Sequence, residues 1–230
     1  MSARPKAAPG PGDELAVEVA DDVVVERPRR RGRPAESDGL TRERILIAAR
    51  VCFAESGYAV ASTHMVAARV GLTTGALYHH FGSKRDLYAA VFEEVERMLF
   101  ERFEKVTASR SRFINKLEAI LDEILRLSRE EPTLTGFLQS ATADVGRHAD
   151  LFQLVQPALN RRDEMFAELV DAGVSTGELA AADRETVLDT VTTVLVGLFA
   201  MNIGPPPIQE RAVDGYKRLF RGTLVNSKRR

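Results

Sequence analysis

The stretch that most constrains the fold of this chain spans residues 63–86, where two short amphipathic segments meet at a glycine. Apolar residues repeat at helical spacing on both sides: Met65, Val66, Ala67 and Val70 come before Gly71, and Leu77 and Phe81 come after it. Gly71 has no Cβ and suits a left-handed helix end, and Thr73 or Thr74 can cap the next helix. The pattern predicts a helix-turn-helix whose second helix, about two turns long, depends on packing through its apolar face.

The outward face of that second helix carries small, hydroxyl and imidazole side chains: Thr74, Gly75, Ala76, Tyr78 and His79. A buried helix would not present this set to its neighbours. Small side chains permit close approach to base edges, and hydroxyls and imidazoles reach phosphate oxygens. The face therefore predicts a helix that lies in a DNA groove.

The same segment contains a longer motif, TxGxLYxHFxxKxxL, carried here by Thr73, Gly75, Leu77, Tyr78, His80, Phe81, Lys84 and Leu87. It resembles the DNA-binding signature of the tetracycline-repressor (TetR) family of bacterial transcription regulators. The pair Gly57-Tyr58 and the run VAARVG that ends at Gly71 match as well, so the resemblance extends from Thr41 to Leu87. It implies a nine-helix, all-α fold with an N-terminal helix-turn-helix domain and a C-terminal helical domain for ligand binding and dimerisation.

The resemblance also implies roles for individual residues. Tyr78, His80 and Lys84 would contact phosphates, with Tyr78 also near a thymine methyl group. His64 and Thr63 would reach a base and a phosphate. The predicted DNA-contacting set of the motif comprises Thr63, His64, Thr73, Thr74, Gly75, Ala76, Tyr78, His79, His80 and Lys84. Because Gly75 and Ala76 have no long side chain for bidentate base contacts, direct specificity should be modest.

A basic run, RPRRRGRP, covers residues 27–34. One interpretation is a solvated tail. The other is a flexible arm that resembles an AT-hook core, in which Arg31 and Arg33 enter the minor groove and supply specificity through DNA shape. If the second interpretation holds, replacing both arginines with alanine should lower affinity most on AT-rich flanks.

The charge of the chain is unevenly distributed, although the formal net charge is only -1. Residues 27–85 hold eleven basic and four acidic side chains, whereas the segments on either side are acidic overall. Positive charge concentrated around the motif is the expected footprint of a DNA-binding module. We expect a disordered basic arm at 1–40, the helix-turn-helix domain at 41–87, an effector-binding and dimerisation domain at 88–225, and a disordered tail at 226–230.

No chemistry beyond binding is predicted. The four histidines are not spaced as a metal-ligand set, and neither a phosphate-binding glycine loop nor a nucleophile elbow is present, so we expect no enzyme, metal or cofactor. The single cysteine, Cys52, lies among apolar residues and is interpreted as a small buried side chain, with a redox role as the alternative. With no apolar run long enough for a membrane helix and no signal-like N-terminus, a cytoplasmic protein associated with the bacterial nucleoid is expected.

Helical periodicity continues to the end of the chain. After a helix from Thr41 to about Ser56 ended by Gly57, the patterns predict helices from about Ser62, Thr73 and Ser83, and then over 111–131, from Thr133 to about Val145, and from His148 to Ala172. Gly173 should end the last of these, with a kink near Pro157 inside it. The final two helices are predicted over 183–202 and 208–225, separated by the Gly204-Pro-Pro-Pro207 stop.

The helix predicted over 183–202 has almost no charged face, so it must be covered on two sides. We expect a second copy of the chain to provide one cover, with the last helix completing a four-helix interface; complete burial in a large monomer core is the alternative. The predicted interface residues are Val187, Val191, Val194, Leu195 and Leu198.

The family resemblance implies a ligand pocket between about residues 100 and 180, for which ordinary core packing is the alternative role of each residue. The candidate lining residues are Phe103, Phe113, Leu117, Leu121, Phe137, Leu138, Phe152 and Phe166, with Asn115, Gln139, Thr142 and Asn160 as polar anchors. Such a lining suits an apolar or amphipathic effector.

Together these patterns predict a homodimeric transcription regulator, specifically a ligand-responsive repressor on a palindromic operator of double-stranded DNA. An activator and a low-specificity, AT-preferring architectural DNA binder are the alternatives of the same class. A helical small-molecule enzyme or binding protein with a vestigial head is the alternative of a different class, and it would lack salt-dependent DNA affinity.

Overall fold

The computed structural model describes residues 35–200 and 206–222, which form nine α-helices and one 3₁₀ turn without any strand. The helices are α1 (Ala35–Val60), α2 (Thr63–Val70), α3 (Thr74–Phe81), α4 (Lys84–Thr107), α5 (Phe113–Glu130), α6 (Pro132–Arg147), α7 (Ala149–Ser175), α8 (Arg184–Ala200) and α9 (Pro206–Phe220). The 3₁₀ turn, Ala181–Asp183, precedes α8. The nine-helix, all-α fold predicted from the sequence is confirmed in this part of the chain.

The glycine and threonine predicted to set the helix ends of the helix-turn-helix do so in the structure. Ser62 caps α2 by accepting a hydrogen bond from the Met65 amide, and Gly71 ends α2 in the left-handed conformation at φ 72°. Thr73 caps α3 by accepting from the Ala76 amide at 3.2 Å. The apolar face of α3 packs through Leu77, which is fully buried. Local chemistry therefore sets both ends of the turn.

Helix α4 connects this head to the rest of the chain. Ser83 caps it by accepting from the Asp86 amide at 3.1 Å, as predicted. Its buried face is mostly apolar, and it packs against α1, α5 and α7, while α6 packs along α1. The predicted domain boundary at residue 87 falls inside this continuous helix, where Leu87 is fully buried. The described residues from Ala35 onward belong to one compact unit.

Three helix ends differ from the prediction. Helix α1 begins at Ala35, so Thr41 is buried within it instead of capping it; a nearby glycine, a poor helix former, hid this earlier start. Helix α7 continues past Gly173 to Ser175. Helix α9 already begins at Pro206 because proline is tolerated in the first turn of a helix. Pro206 and Pro207 thus form the start of α9, although the sequence pattern predicted that they precede this helix.

Gly173 has a packing role that replaces the predicted role as helix terminator. A Cβ built on it would lie 2.8 Å from Leu179 Cδ1 and 3.0 Å from Phe113 Cβ. Because real side chains do not approach so closely, the absent side chain lets α7 contact the start of α5 and the following loop.

The residues of α8 that were predicted to form a dimer interface are mostly buried within a single subunit. Val191, Val194, Leu195 and Leu198 are at most 9% exposed within a single subunit, and Val187 is half-buried against the same core. Val191, Val194, Leu195 and Leu198 therefore face their own subunit, whereas half-buried Val187 also borders the surface near Thr190 and Leu219. The periodicity revealed an apolar face but did not reveal which neighbour covers it.

Residues 1–34 of the predicted basic arm, which include Arg31 and Arg33, and the predicted tail at 226–230 lie outside the described residues. Residues 35–40 were expected to be disordered with the rest of the arm, but they are helical and form the first segment of α1.

Candidate functional site

The predicted DNA-contacting residues gather at α2, α3 and the start of α4. His64, Thr73, Gly75, Tyr78 and His79 are exposed. Thr74, Ala76, His80 and Lys84 are half-buried beside them, and only Thr63 is buried. Most of the predicted set is therefore accessible at the surface of the head.

Tyr78 is held in place by the one buried member of the set. The hydroxyl groups of Tyr78 and Thr63 lie 3.2 Å apart, within hydrogen-bonding distance, and the tyrosine remains 43% exposed. Thr63 is 9% exposed, which limits its own access to a phosphate. Its hydroxyl instead gives Tyr78 a hydrogen-bonding partner, and Tyr78 is the more exposed of the two residues.

Lys84 is docked against the end of α1. Its ammonium group lies 4.5 Å from the centre of the Tyr58 ring and donates to the Ala59 carbonyl at 3.5 Å. Burial lowers the pKa of Lys84, while the negative charge of Asp144 opposes that shift. The positive charge is thereby positioned near the helix-turn-helix through contacts that also involve α1.

Two arginines that the sequence argument did not single out lie against the same head. The guanidinium of Arg42 is 5.1 Å from the centre of the Phe81 ring, and Arg44 donates to the Val70 carbonyl at 3.2 Å. Both side chains are exposed. The concentration of basic residues in this part of the sequence was the available signal for them.

A separate cavity of about 300 Å³ lies among α4, α6, α7 and α8. Its lining is almost entirely apolar and aromatic: Phe92, Leu99, Phe100, Phe103, Leu138, Ala141, Val145, Phe152, Leu159, Phe166, Leu195, Val196 and Phe199, with Gly146, Thr142, Glu96 and Arg162. This size is at the lower end of the range for small-molecule sites.

Five of the twelve residues predicted to line a ligand pocket border this cavity: Phe103, Leu138, Thr142, Phe152 and Phe166. The others lie elsewhere. Phe113, Leu117, Leu121 and Phe137 are buried in the core, Gln139 is half-buried, and Asn115 and Asn160 are exposed. The contributions of α8 and of Glu96 were not predicted, because helical spacing does not show which apolar faces leave a space between them.

Glu96 is the unusual group in the lining. It is 4% exposed, and its Oε2 atom has no hydrogen-bond partner among the described residues. Burial raises the pKa of Glu96 to about 7; Arg162 and Arg161 counteract that shift and Asp163 adds to it. In the sequence, the signal was a lone acidic residue in the otherwise apolar stripe of α4.

Helix α6 borders the cavity on one side and holds α1 on the other. Asp144 accepts a hydrogen bond from the Tyr58 amide at 2.9 Å, just after the break in α1 at Gly57, where φ is 69°. The Tyr58 ring also contacts the rings of Tyr88 and His148, at centroid distances of 5.2 Å each. Burial, followed by the charge of Asp144, raises the pKa of Tyr88. One short segment of α6 thus touches both the cavity and the base of the head.

Metal-binding and membrane-spanning features are absent from the described residues. Across 35–200 and 206–222, no group of three His, Cys, Asp or Glu side chains is arranged to hold a metal ion. In those same two ranges no helix combines the length and apolarity needed to cross a bilayer. Cys52 is 1% exposed and burial raises its pKa, so the prediction of a buried side chain is confirmed.

The helical fold and the exposed face of α3 define the chain as a helix-turn-helix, DNA-binding transcriptional regulator. The family model for bacterial regulatory proteins of the tetR family matches residues 45–91. Over residues 45–91 the chain is thus similar to the tetR family.

Individual relatives agree with this assignment. The nucleoid occlusion factor SlmA of Mannheimia succiniciproducens is 23% identical over 189 residues, which cover 80% of this chain and 87% of SlmA. The HTH-type transcriptional repressor AcnR of Corynebacterium glutamicum is 43% identical over 54 residues, 24% of this chain and 29% of AcnR. A crystal structure of a TetR-family transcriptional regulator from Pectobacterium atrosepticum shares 28% identity and a TM-score of 0.62, covering 84% of this chain and 99% of that one.

Proposed function

We propose that this protein is a ligand-responsive repressor that binds a palindromic operator as a homodimer and is released by an apolar or amphipathic effector. In this proposal α3 lies in the major groove of each half-site, and Tyr78, His79 and Lys84 contact the DNA. The effector occupies the cavity among α4, α6, α7 and α8. The repressor name of the relative AcnR supports the sign of regulation.

The observation that carries the proposal is the double contact of α6. Leu138 and Thr142 of this helix line the cavity, while Asp144 holds the Tyr58 amide of α1 at 2.9 Å. Lys84 rests on the ring of Tyr58, 4.5 Å from its centre. A ligand that shifts α6 would therefore shift the support of a DNA-contacting charge, which is a physical route for coupling between two sites.

The proposed dimer uses the faces of α8 and α9 that the subunit core leaves open. Ile208 and Leu219 share one stripe of α9 and are 44% and 50% exposed. On α8, Thr190 and Thr193 are exposed, and nothing would lie within 4 Å of a Cβ built on Gly197. We assign these faces to a second copy, because two symmetric reading heads require a symmetric interface.

Sedimentation analysis tests the interface. Leu219→Glu should convert the dimer to a monomer at micromolar concentration, because it places a charge in an apolar contact. Leu154→Glu is the matched control, since Leu154 is 40% exposed on α7, away from α8 and α9. A monomeric wild-type chain, or equal dissociation of both variants, would reject this dimer.

Selection of bound sequences from random duplex DNA tests the regulatory function. The full chain and its Arg31→Ala/Arg33→Ala variant are compared. A palindrome shared by both proteins supports a site-specific dimer, with AT preference at the flanks reduced in the variant. If the full chain selects only AT-rich DNA and the variant does not select it, the protein is the architectural binder. If the variant loses as much affinity on GC-rich flanks as on AT-rich flanks, the arm has no minor-groove role.

The salt dependence of operator affinity tests the assigned phosphate contact. Lys84→Ala should reduce the slope of log affinity against log salt concentration by about 1. Lys105 is an exposed lysine near the far end of α4, and Lys105→Ala should leave this slope unchanged.

Reporter expression in cells lacking the protein decides between repressor and activator: a rise supports repression, and a fall indicates activation. We infer a cytoplasmic location at the nucleoid, for which a fluorescent fusion should overlap with the DNA stain.

A further inference from the structure

The cavity lining contains one carboxyl group with an oxygen that no described residue satisfies. Glu96 lies on α4 among apolar lining residues, is 4% exposed, and has an Oε2 atom without a hydrogen-bond partner among the described residues. A buried carboxyl group without a partner loses hydration and gains nothing in return. Glutamate at this position therefore requires an explanation other than packing.

The neighbouring arginines are already engaged with other carboxylates. Arg162 Nη2 is 2.8 Å from Asp163 Oδ1, and Arg161 Nη2 is 2.9 Å from Glu93 Oε1. Both arginines act on Glu96 through their charge only, and Asp163 opposes them. The Oε2 atom thus has no donor of its own among the described residues, and the Glu96 side chain borders the cavity.

A second buried glutamate shows what a structural carboxylate in this protein looks like. Glu123 is 1% exposed, and its carboxylate forms ion pairs with Arg102, at 2.6 Å, and with Arg126. The chain therefore supplies partners to a buried carboxylate where it serves the fold. Glu96, by contrast, faces an open volume of about 300 Å³.

Resting on the function proposed above, we infer that the effector is an apolar molecule bearing a protonated amine, which pairs with the Glu96 carboxylate. The apolar part packs against the aromatic lining, of which Phe92, Phe103, Phe166 and Phe199 are members. Aromatic faces also attract a cation, which favours the same charge type. The raised pKa of Glu96 agrees with this pairing, since an entering cation would stabilise the ionised carboxylate.

Three compounds with the same chain and different head groups test the inference: decylamine, decanol and decanoate, each titrated calorimetrically into the full-length protein at pH 8 and below its micelle concentration. Decylamine should bind at least about tenfold more tightly than decanol, the range expected for a hydrogen bond to a charged group. Decanoate should bind most weakly. Equal or tighter binding of decanol or decanoate would overturn the inference, and so would an absence of decylamine binding.

Glu96→Gln should bring the amine-to-alcohol affinity ratio close to one while decanol still binds. Glu104→Gln removes the same charge from an exposed position on the same helix, outside the cavity lining, and should preserve the ratio. A preference for the amine that survives Glu96→Gln contradicts the role of this carboxylate.

Operator affinity is measured separately, with and without decylamine. Glu96-dependent binding without any change in operator affinity would leave the site chemistry intact and refute the effector role. A specific operator bound by a protein that ignores decylamine would refute the amine and leave the regulator intact.

Discussion

Asp144 is the residue whose removal should most directly test the link between α6 and the DNA-binding head. Asp144→Ala deletes the acceptor of the Tyr58 amide, a contact of 2.9 Å at a side chain that is 7% exposed. A backbone amide left without a partner, after a hydrogen bond to a charged group, costs roughly 1.5–3 kcal/mol. For a chain of this size that loss corresponds to a decrease in Tm of roughly 3–12 °C.

Asp144→Asn provides the graded comparison. The amide oxygen of asparagine can still accept from Tyr58, so the free energy of unfolding should fall by less than half as much as in Asp144→Ala. Both variants lose the negative charge that opposes the lowered pKa of Lys84. Effects that the two variants share therefore measure the contribution of the Asp144 charge. The difference between the variants measures the contribution of the hydrogen bond to the Tyr58 amide.

Urea unfolding followed by circular dichroism measures these changes, at one protein concentration because dimerisation would contribute to stability. Operator affinity is titrated in parallel, with and without a cavity ligand. A loss below about 0.5 kcal/mol in Asp144→Ala would refute the reasoning, because it would mean that the Tyr58 amide does not depend on α6. A stability loss with unchanged ligand response would refute the coupling route alone.

Three further substitutions have outcomes that follow from contacts and burial described above. Thr63→Val should weaken operator binding about fivefold in a fluorescence titration, because the Tyr78 hydroxyl loses its partner 3.2 Å away. In a Tyr78→Phe background the same substitution should have no effect, and additive losses of affinity would contradict this reasoning. Burial raises the pKa of Glu96 from 4.5 to about 7, so the folded protein holds this proton at pH values where the unfolded chain has lost it. As the pH rises between these two values, the free energy of unfolding of the wild type should therefore fall relative to that of Glu96→Gln, by up to about 1.4 kcal/mol per pH unit. A difference between the two proteins that stays constant with pH would disprove the burial effect. Gly173→Ala should destabilise by about 1–3 kcal/mol in urea unfolding despite its better helix propensity, because the methyl group would lie 3.0 Å from Phe113 Cβ; a stabilised variant would reject this.

The sequence by itself determined the DNA-binding head. Ser62, Gly71, Thr73 and Ser83 act through contacts within three or four residues of themselves, so their roles are visible in a string of letters. The same is true of the exposed face of α3, because its apolar positions define the opposite face. Helix ends were less certain where glycine or proline had more than one possible role, as at Gly173.

Only the tertiary structure decided what the apolar faces cover. Val191 and Leu195 have the spacing of a dimer seam, yet they are buried against their own subunit. Asp144 meets Tyr58 across 86 positions of sequence, and no periodicity relates the two. The space beside Glu96 exists because four helices fail to fill it, which is a property of their packing together and of none of them alone.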